Sequence, residues 1–209
     1  MSLVVTAAAV AGGLALGRWL TQRAIRNAPA KPVAKIAKSD GDPAPEKSIP
    51  WDRFACRLGD VVVRQDGAEA WLAGALVFSE DAPAAVLFVA PEAKVDRAVF
   101  VHAKPSAELL WLAPIAEDSW KARSAEPPTS IELDGEPFDR IRRLPFRVER
   151  IGEGAPDLGP DVIFAEYKST RSEEKRVISI SGSGHSRAWR GEKIDVAACD
   201  VLPSGSRTT

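Results

Sequence analysis

Few residues of this chain are of the types that carry out chemistry, and their spacing assembles no recognised site. The two histidines are His102 and His185. His185 lies in the segment SGSGHS, where a catalytic role would make it a general base for Ser183 or Ser186. Gly and Ser are common turn residues, so the segment instead favours a hairpin turn that carries an exposed histidine. His102 ends an apolar run and is expected at the surface.

The other reactive side chains indicate no metal or cofactor. Cys56 and Cys199 are the only cysteines, and no two Cys or His residues have the short spacing of a zinc site. Gly182 and Gly184 precede neither a G-K-[ST] sequence nor a helix, as a phosphate-binding loop requires. Carboxylates are rarely buried without a partner, so the acidic residues of this region are expected to be solvated. These acidic residues are Glu166, Glu173 and Glu174. The sequence therefore predicts no catalytic residue, no cofactor and no metal.

Aromatic side chains provide the candidate ligand face. Four of them lie in or beside apolar runs: Trp71, Trp111, Tyr167 and Trp189. Such residues line many concave ligand sites, but they also supply much of the buried area of a β core. A scaffold or binding module predicts no cluster of perturbed titratable groups. An enzyme predicts a pocket that brings a histidine close to a carboxylate or a cysteine.

The elements that must position these residues are almost all strands. Short apolar or alternating runs are separated by turn sequences such as DG, EDAP, AKPS, DGEP and SGSG. The runs are DVVVRQ, AWLAGALVF, AAVLFVA, RAVFVHA, ELLWLAPI, SIELDG, DRIRRL, FRVERI, VIFAEYK, RVISISG, SRAWRG and KIDVAACDVL. Regular short strands predict a mainly β fold, an antiparallel sandwich or barrel-like domain, rather than an α/β fold. The only helix expected in this region is at 117–124.

Two stretches of the predicted domain are similar to each other. Residues 97–115 align without gaps on residues 176–194, and each combines a strand, a small-residue turn and a strand that carries a tryptophan. The alignment is compatible with a domain built from two similar halves. Hairpins of similar length also resemble one another, because β patterns contain little information.

The chain divides into four segments by composition. Residues 1–26 are an apolar anchor with a basic flank, and residues 27–50 are a linker with five prolines that buries too little apolar surface to fold. Residues 51–203 form the β-rich globular domain, and residues 204–209 are a polar tail. The first 39 residues carry six basic and no acidic side chains. The other 170, with 22 basic and 29 acidic side chains, have a net charge of −7, which argues against nucleic-acid binding.

The N-terminal run predicts a single transmembrane helix. Residues 3–20 are apolar apart from Thr6 and Arg18. As a helix they would extend about 27 Å, close to the roughly 30 Å core of a bilayer. The predicted anchor residues are Leu3, Val4, Val5, Val10, Leu14, Leu16, Trp19 and Leu20.

The flanking charges predict the orientation of this helix. Basic residues follow the run and none precedes it, so Arg18, Arg23 and Arg26 are expected on the cytoplasmic side, against the anionic inner leaflet. A helix lying in the membrane interface and a cleaved signal peptide are the alternatives. Gly13 and Gly17 have the G-x-x-x-G spacing that lets two anchors pack closely, which would give a homodimer.

Several segments of the domain resemble a known family. They are LGDVVV (58–63), PPTSIELDG (127–135), VIFAEYKS (162–169), EEKRVISISG (173–182), RAWRGEKIDV (187–196) and DVLP (200–203). Together they resemble the bacterial domain-of-unknown-function family 4178 over about residues 58–203. Members usually have a tryptophan in the strand that contains Tyr167, whereas this chain has the sequence Phe164-Ala165-Glu166-Tyr167. The resemblance implies a β-rich bacterial domain with no established activity, in a setting near membrane-stress and polyamine-related genes.

The sequence thus predicts a binding or scaffold module tethered to the bacterial inner membrane, with its β domain in the cytoplasm. It would act through contacts with a protein partner or the lipid surface. The second hypothesis is a small-molecule-binding or enzymatic domain linked to polyamine or lipid metabolism.

Overall fold

The computed structural model describes residues 49–91, 96–106, 108–116, 119–120 and 126–204. The predicted anchor, the linker up to residue 48, most of the predicted helix at 117–124 and the tail from residue 205 lie outside the described residues. Within the described ranges, no helix has the length and apolar character needed to cross a membrane. The described residues belong to a compact unit, Lys47–Thr209.

The described chain is mainly β, as the sequence predicts. Its strands are β1 Val61–Arg64, β2 Glu69–Trp71, β3 Gly74–Ser79, β4 Pro83–Ala90, β5 Arg97–His102, β6 Glu108–Pro114, β7 Ser130–Leu133, β8 Glu136–Gly152, β9 Asp161–Ser169, β10 Lys175–Gly182, β11 His185–Asp195 and β12 Cys199–Leu202. Single 3-10 turns occur at Trp51–Arg53 and Val196–Ala198.

Eight of these strands form a closed antiparallel barrel. Their order is β3-β4-β5-β6-β11-β10-β9-β8, and β3 pairs with β8 to close the ring. The seam ends at Gly74, which is paired with Gly152. A Cβ atom at Gly74 would lie 2.0 Å from the Glu153 carbonyl oxygen, and Gly152 has φ +69°. Both positions therefore require glycine, because the backbones approach so closely there.

Strand β8 joins two runs that the sequence separates. It is 17 residues long and continues through Pro145. A proline is tolerated there because β3 first pairs with β8 at Arg147, so β8 has only β9 as a neighbour at Pro145. A bulge between Arg140 and Arg142 changes the facing of the side chains along the strand. The predicted run AWLAGALVF is instead divided, into β2 and β3.

The lumen of the barrel is filled by apolar side chains, which every strand contributes at alternate positions. Its centre is aromatic: Phe164 lies with ring centroids 5.3 Å from Phe100, 5.8 Å from Phe78 and 6.0 Å from Phe146. All four phenylalanines are buried. The barrel interior is therefore a packed core rather than a cavity.

Two further apolar clusters lie on the outer face of the barrel. A three-stranded sheet, β12-β1-β2, covers the outer sides of strands β3 to β6, where Val62 and Leu72 pack with Phe88 and Trp111. The second cluster covers β8 to β10 and includes Phe138 and Tyr167. The strands at these places are buried on both faces.

The two stretches that align in the sequence form neighbouring hairpins. Residues 97–115 contain β5 and β6, and residues 176–194 contain most of β10 and β11. The hairpins are joined side by side because β6 pairs with β11, with Trp111 opposite Glu192 and Trp189 opposite Pro114.

We expect Phe164→Ala to lower the free energy of unfolding by about 3–5 kcal/mol, because it removes the ring that contacts the other three phenylalanines of the lumen. Trp71→Ala is the matched control, because Trp71 is 55% exposed and its loss should cost about 1 kcal/mol or less. Urea unfolding of the two variants measures both values. Equal losses would contradict a lumen packed around Phe164.

Candidate functional site

The four aromatic residues of the predicted ligand face lie in different places. Trp71 is exposed on β2, whereas Trp111 is buried beneath the small sheet, with the Arg64 guanidinium 5.5 Å from its ring centre. Tyr167 belongs to the outer cluster over β8 to β10, and Trp189 faces the lumen. The structure therefore does not bring these residues together on one face, and three of the four pack in apolar clusters.

An open groove crosses the ends of several strands near the β10–β11 turn. It has a volume of about 870 Å³ and is called the groove below. Phe146 and Val162 provide apolar lining. Its polar side chains are Ser79, Glu80, Asp81, Arg147, Asp161, Ser181, Ser183, His185 and Ser186. The groove thus contains three carboxylates and one arginine.

His185 does not activate a serine in the groove. The Ser186 hydroxyl lies 2.9 Å from that of Ser181 and accepts a hydrogen bond of 3.0 Å from Trp120 Nε1. Among the described residues, no hydrogen bond joins His185 to Ser183 or Ser186. Ser183 and Gly184 have φ +47° and +81°, as a two-residue hairpin turn requires, and His185 is exposed. The turn interpretation of this segment therefore agrees with the structure.

A cluster of charged side chains occupies one end of the lumen. We call it the mouth. The mouth residues are His102 of β5, Glu108 of β6, Arg142 of β8, Glu166 of β9, Arg176 of β10 and Lys193 of β11. The alternation of side chains along a strand places these residues on the lumen side. His102 lies two residues from Phe100, Arg142 lies two residues from Leu144, and Glu166 lies two residues from Phe164. Phe100 and Phe164 belong to the lumen cluster, and Leu144 packs against it.

Arg142 crosses the lumen to reach His102. Its Nη1 atom lies 3.0 Å from His102 Nε2, although β8 and β5 are not neighbours in the ring. An arginine only donates, so Nε2 is the unprotonated nitrogen and Nδ1 carries the proton. The Phe100 ring packs nearly perpendicular to the imidazole, with ring centroids 4.9 Å apart. The contact thus fixes one tautomer of His102.

Glu166 lies beneath this contact and is 6% exposed. Its nearest cations are Arg176 Nε at 3.5 Å and Arg142 Nε at 4.0 Å, and no described residue donates a hydrogen bond to it. Arg176 instead donates Nη1 to the Glu173 carbonyl oxygen, at 2.6 Å. The carboxylate is therefore paired with charges but lacks the hydrogen bonds that usually accompany a buried ion pair.

The mouth changes the pKa values of two of its members. Burial raises the pKa of Glu166, against the opposing effect of Arg142 and Arg176. Burial, followed by the Arg142 charge, lowers the pKa of His102 from 6.5 to about 4, despite the opposing charge of Glu108. The sequence expectation for Glu166 is therefore wrong, because its side chain is buried rather than solvated, whereas His102 is half-buried. The sequence signal for these positions is their spacing: His102 lies two residues after Phe100, and Glu166 lies two residues after Phe164.

The described residues contain no group of three His, Cys, Asp or Glu side chains arranged to hold a metal ion. Cys56 is buried, which raises the pKa of its thiol to about 12. No family model matches the chain, and no curated protein or solved structure matches it either. The resemblance to family 4178 stays a prediction.

The low pKa of His102 predicts a specific pH dependence of stability. Because the pKa in the fold, about 4, lies below the ordinary value of 6.5, its contribution is complete above pH 6.5 and is lost as the pH falls towards 4. We expect His102→Gln, which keeps an acceptor for Arg142, to show a smaller loss of unfolding free energy over this window. His185→Gln, at an exposed position, should behave like the wild type. Identical slopes for all three proteins, in urea unfolding from pH 7 to 4, would contradict this assignment.

Proposed function

We propose that the protein is a single-pass, membrane-tethered binding module of the bacterial inner membrane, with its β domain in the cytoplasm. The domain would bind an extended segment of a partner protein in the groove. The tether rests on the apolar run at 3–20 and on the basic residues that follow it. Residues 97–115 and 176–194 would be two similar units of this domain, and they form adjacent hairpins.

The groove is the observation that carries this proposal. Its volume of about 870 Å³ lies within the roughly 300–1,000 Å³ typical of ligand sites. Glu80, Asp81 and Asp161 outnumber the single Arg147, while Phe146 and Val162 offer apolar contact. Complementary charge favours a segment that alternates basic and apolar side chains. The strands on either side of the groove belong to the closed barrel.

The mouth favours a second candidate function, a small-molecule-binding or enzymatic domain in polyamine or lipid metabolism. A pure scaffold predicts no cluster of perturbed titratable groups, yet Glu166 and His102 form one through Arg142. This observation counts against a module that offers only a surface. It does not identify a reaction, because the six mouth residues include no serine, threonine or cysteine that could act as a nucleophile.

Peptide binding tests the groove directly. Full-length protein in nanodiscs of neutral lipid is titrated with fluorescent heptapeptides that alternate Leu with Lys, Glu or Ser, and empty nanodiscs serve as the blank. We expect the Lys/Leu peptide to bind most tightly, and binding to weaken as salt rises. Combining Glu80→Gln with Asp161→Asn should weaken it about two- to thirtyfold, because each exposed charge pair contributes about 0.2–1 kcal/mol.

The matched control removes two carboxylates elsewhere. Glu69→Gln with Asp200→Asn changes two exposed residues of the small sheet and should leave peptide affinity unchanged. Equal binding of the Lys/Leu and Glu/Leu peptides, or equal effects of the two double variants, would refute docking in the groove.

Fractionation and proteolysis test the tether. We expect the full chain to sediment with bacterial membranes, and a version without residues 1–38 to stay in the supernatant, because the apolar run is the only predicted anchor. In spheroplasts the β domain should resist added protease until the membrane is permeabilised. Digestion from outside would overturn the proposed orientation, and a soluble full chain would overturn the anchor.

A further inference from the structure

We propose that the mouth is a second binding site, separate from the groove, and that it binds the oxyanion of a small ligand, a carboxylate or a phosphate, on Arg142. The residues of the groove play no part in this inference. The two proposals can therefore fail independently.

The balance of charge at the mouth leaves Arg142 incompletely neutralised. Arg176 is the nearer cation to Glu166, and Lys193 Nζ lies 3.0 Å from Glu108. Arg142 is left with a neutral imidazole at 3.0 Å and the Glu166 carboxylate at 4.0 Å. A guanidinium has five N–H donors. Among the described residues, Arg142 uses one of them in a hydrogen bond, the contact of Nη1 with His102. The remaining donors suit an oxyanion, which accepts two of them side by side.

Arg142 is accessible from solvent, whereas the groups that position it are not. Its side chain is 44% exposed, while those of Glu166 and Arg176 are 8% and 7% exposed. Arg142 also follows directly after the bulge of β8, so it faces the lumen while Arg140 faces outward and donates to the Pro127 carbonyl oxygen. Bulges are frequent beside binding sites for this reason. The buried pair thus holds an exposed guanidinium at the entrance of the barrel.

An anion explains the mouth better than a cation does. A cation would have to approach three basic side chains, Arg142, Arg176 and Lys193, of which the first and last are partly exposed. The one exposed carboxylate, Glu108, is already paired with Lys193. With His102 neutral, the six mouth residues carry three positive and two negative charges.

Binding at Arg142 would also change the protonation of His102. The groups that face this imidazole are Arg142 from β8, Glu108 from β6 and, further along the mouth, Glu166, Arg176 and Lys193. An anion on Arg142 offsets the charge that opposes protonation of His102. The bound state therefore takes up a proton more readily, and affinity should fall as the pH rises from 4 towards neutrality.

The experiment uses histidine signals of the full-length protein in nanodiscs. The chain has two histidines, so selective labelling gives two ring resonances, assigned with His102→Gln and His185→Gln. Sulfate is titrated at constant ionic strength against chloride, because its charge does not change over the pH range used. Acetate and phosphate are titrated in parallel, and the stronger response identifies the ligand as a carboxylate or a phosphate.

We expect sulfate to shift the His102 resonance and raise its pKa, with no effect on His185. Arg142→Gln should weaken sulfate binding by about tenfold or more, and Arg142→Lys should weaken it less. Arg143→Gln is the matched control, because the neighbouring Arg143 faces outward and pairs with Glu126. If the His102 resonance responds to chloride as strongly as to sulfate, or if Arg142→Gln binds like the wild type, the mouth is a structural plug and the proposal is wrong.

Discussion

The pairing of β3 with the C-terminal half of β8 is the constraint on which the rest of the structure depends. It converts a row of strands into a ring, and so it gives each strand a lumen side and an outer side. The seam ends where Gly74 meets Gly152, at a backbone distance that no side chain would permit. Without this contact β3 and β8 would both present unpaired edges, and the lumen aromatics would lose their opposite wall.

Closure also decides where charge can lie. A lumen of eight strands is just wide enough for side chains, and here phenylalanines fill its centre. Polar residues at lumen positions are therefore restricted to the ends, where they meet across the barrel, as Arg142 meets His102. Glu166 is buried because it is the lumen residue next after Phe164, and its charge requires Arg142 and Arg176 nearby. The mouth therefore forms because the closed ring brings together six polar residues that occupy lumen-facing positions at one end of their strands.

The strands could be predicted from the sequence, whereas their pairing could not. Alternation and turn residues located nearly every strand, including the Ser183-Gly184 hairpin turn. The sequence did not predict β8 as one continuous strand, because a proline such as Pro145 normally interrupts a strand. Pro145 is tolerated because β8 has a neighbouring strand on only one side there, and that arrangement follows from how the ring is paired. The burial of Glu166 and the crossing contact of His102 depend on which strands face one another. A single sequence does not contain that information, so the charged residues were interpreted as solvated ones.

The net charge of the domain affects the two proposed sites in opposite ways. Residues 40–209 carry a net charge of −7, so a basic segment approaching the groove is attracted from a distance, and salt should slow that association. A small anion approaching the mouth is repelled by this net charge at low salt. At physiological salt, charges more than about 8–10 Å away are largely screened, so the nearby charges of the mouth dominate. Its binding must then rest on short hydrogen bonds to Arg142, which favours specificity over speed. A planar guanidinium held by Glu166 and His102 suits that requirement better than a flexible lysine, because its donors are already aligned.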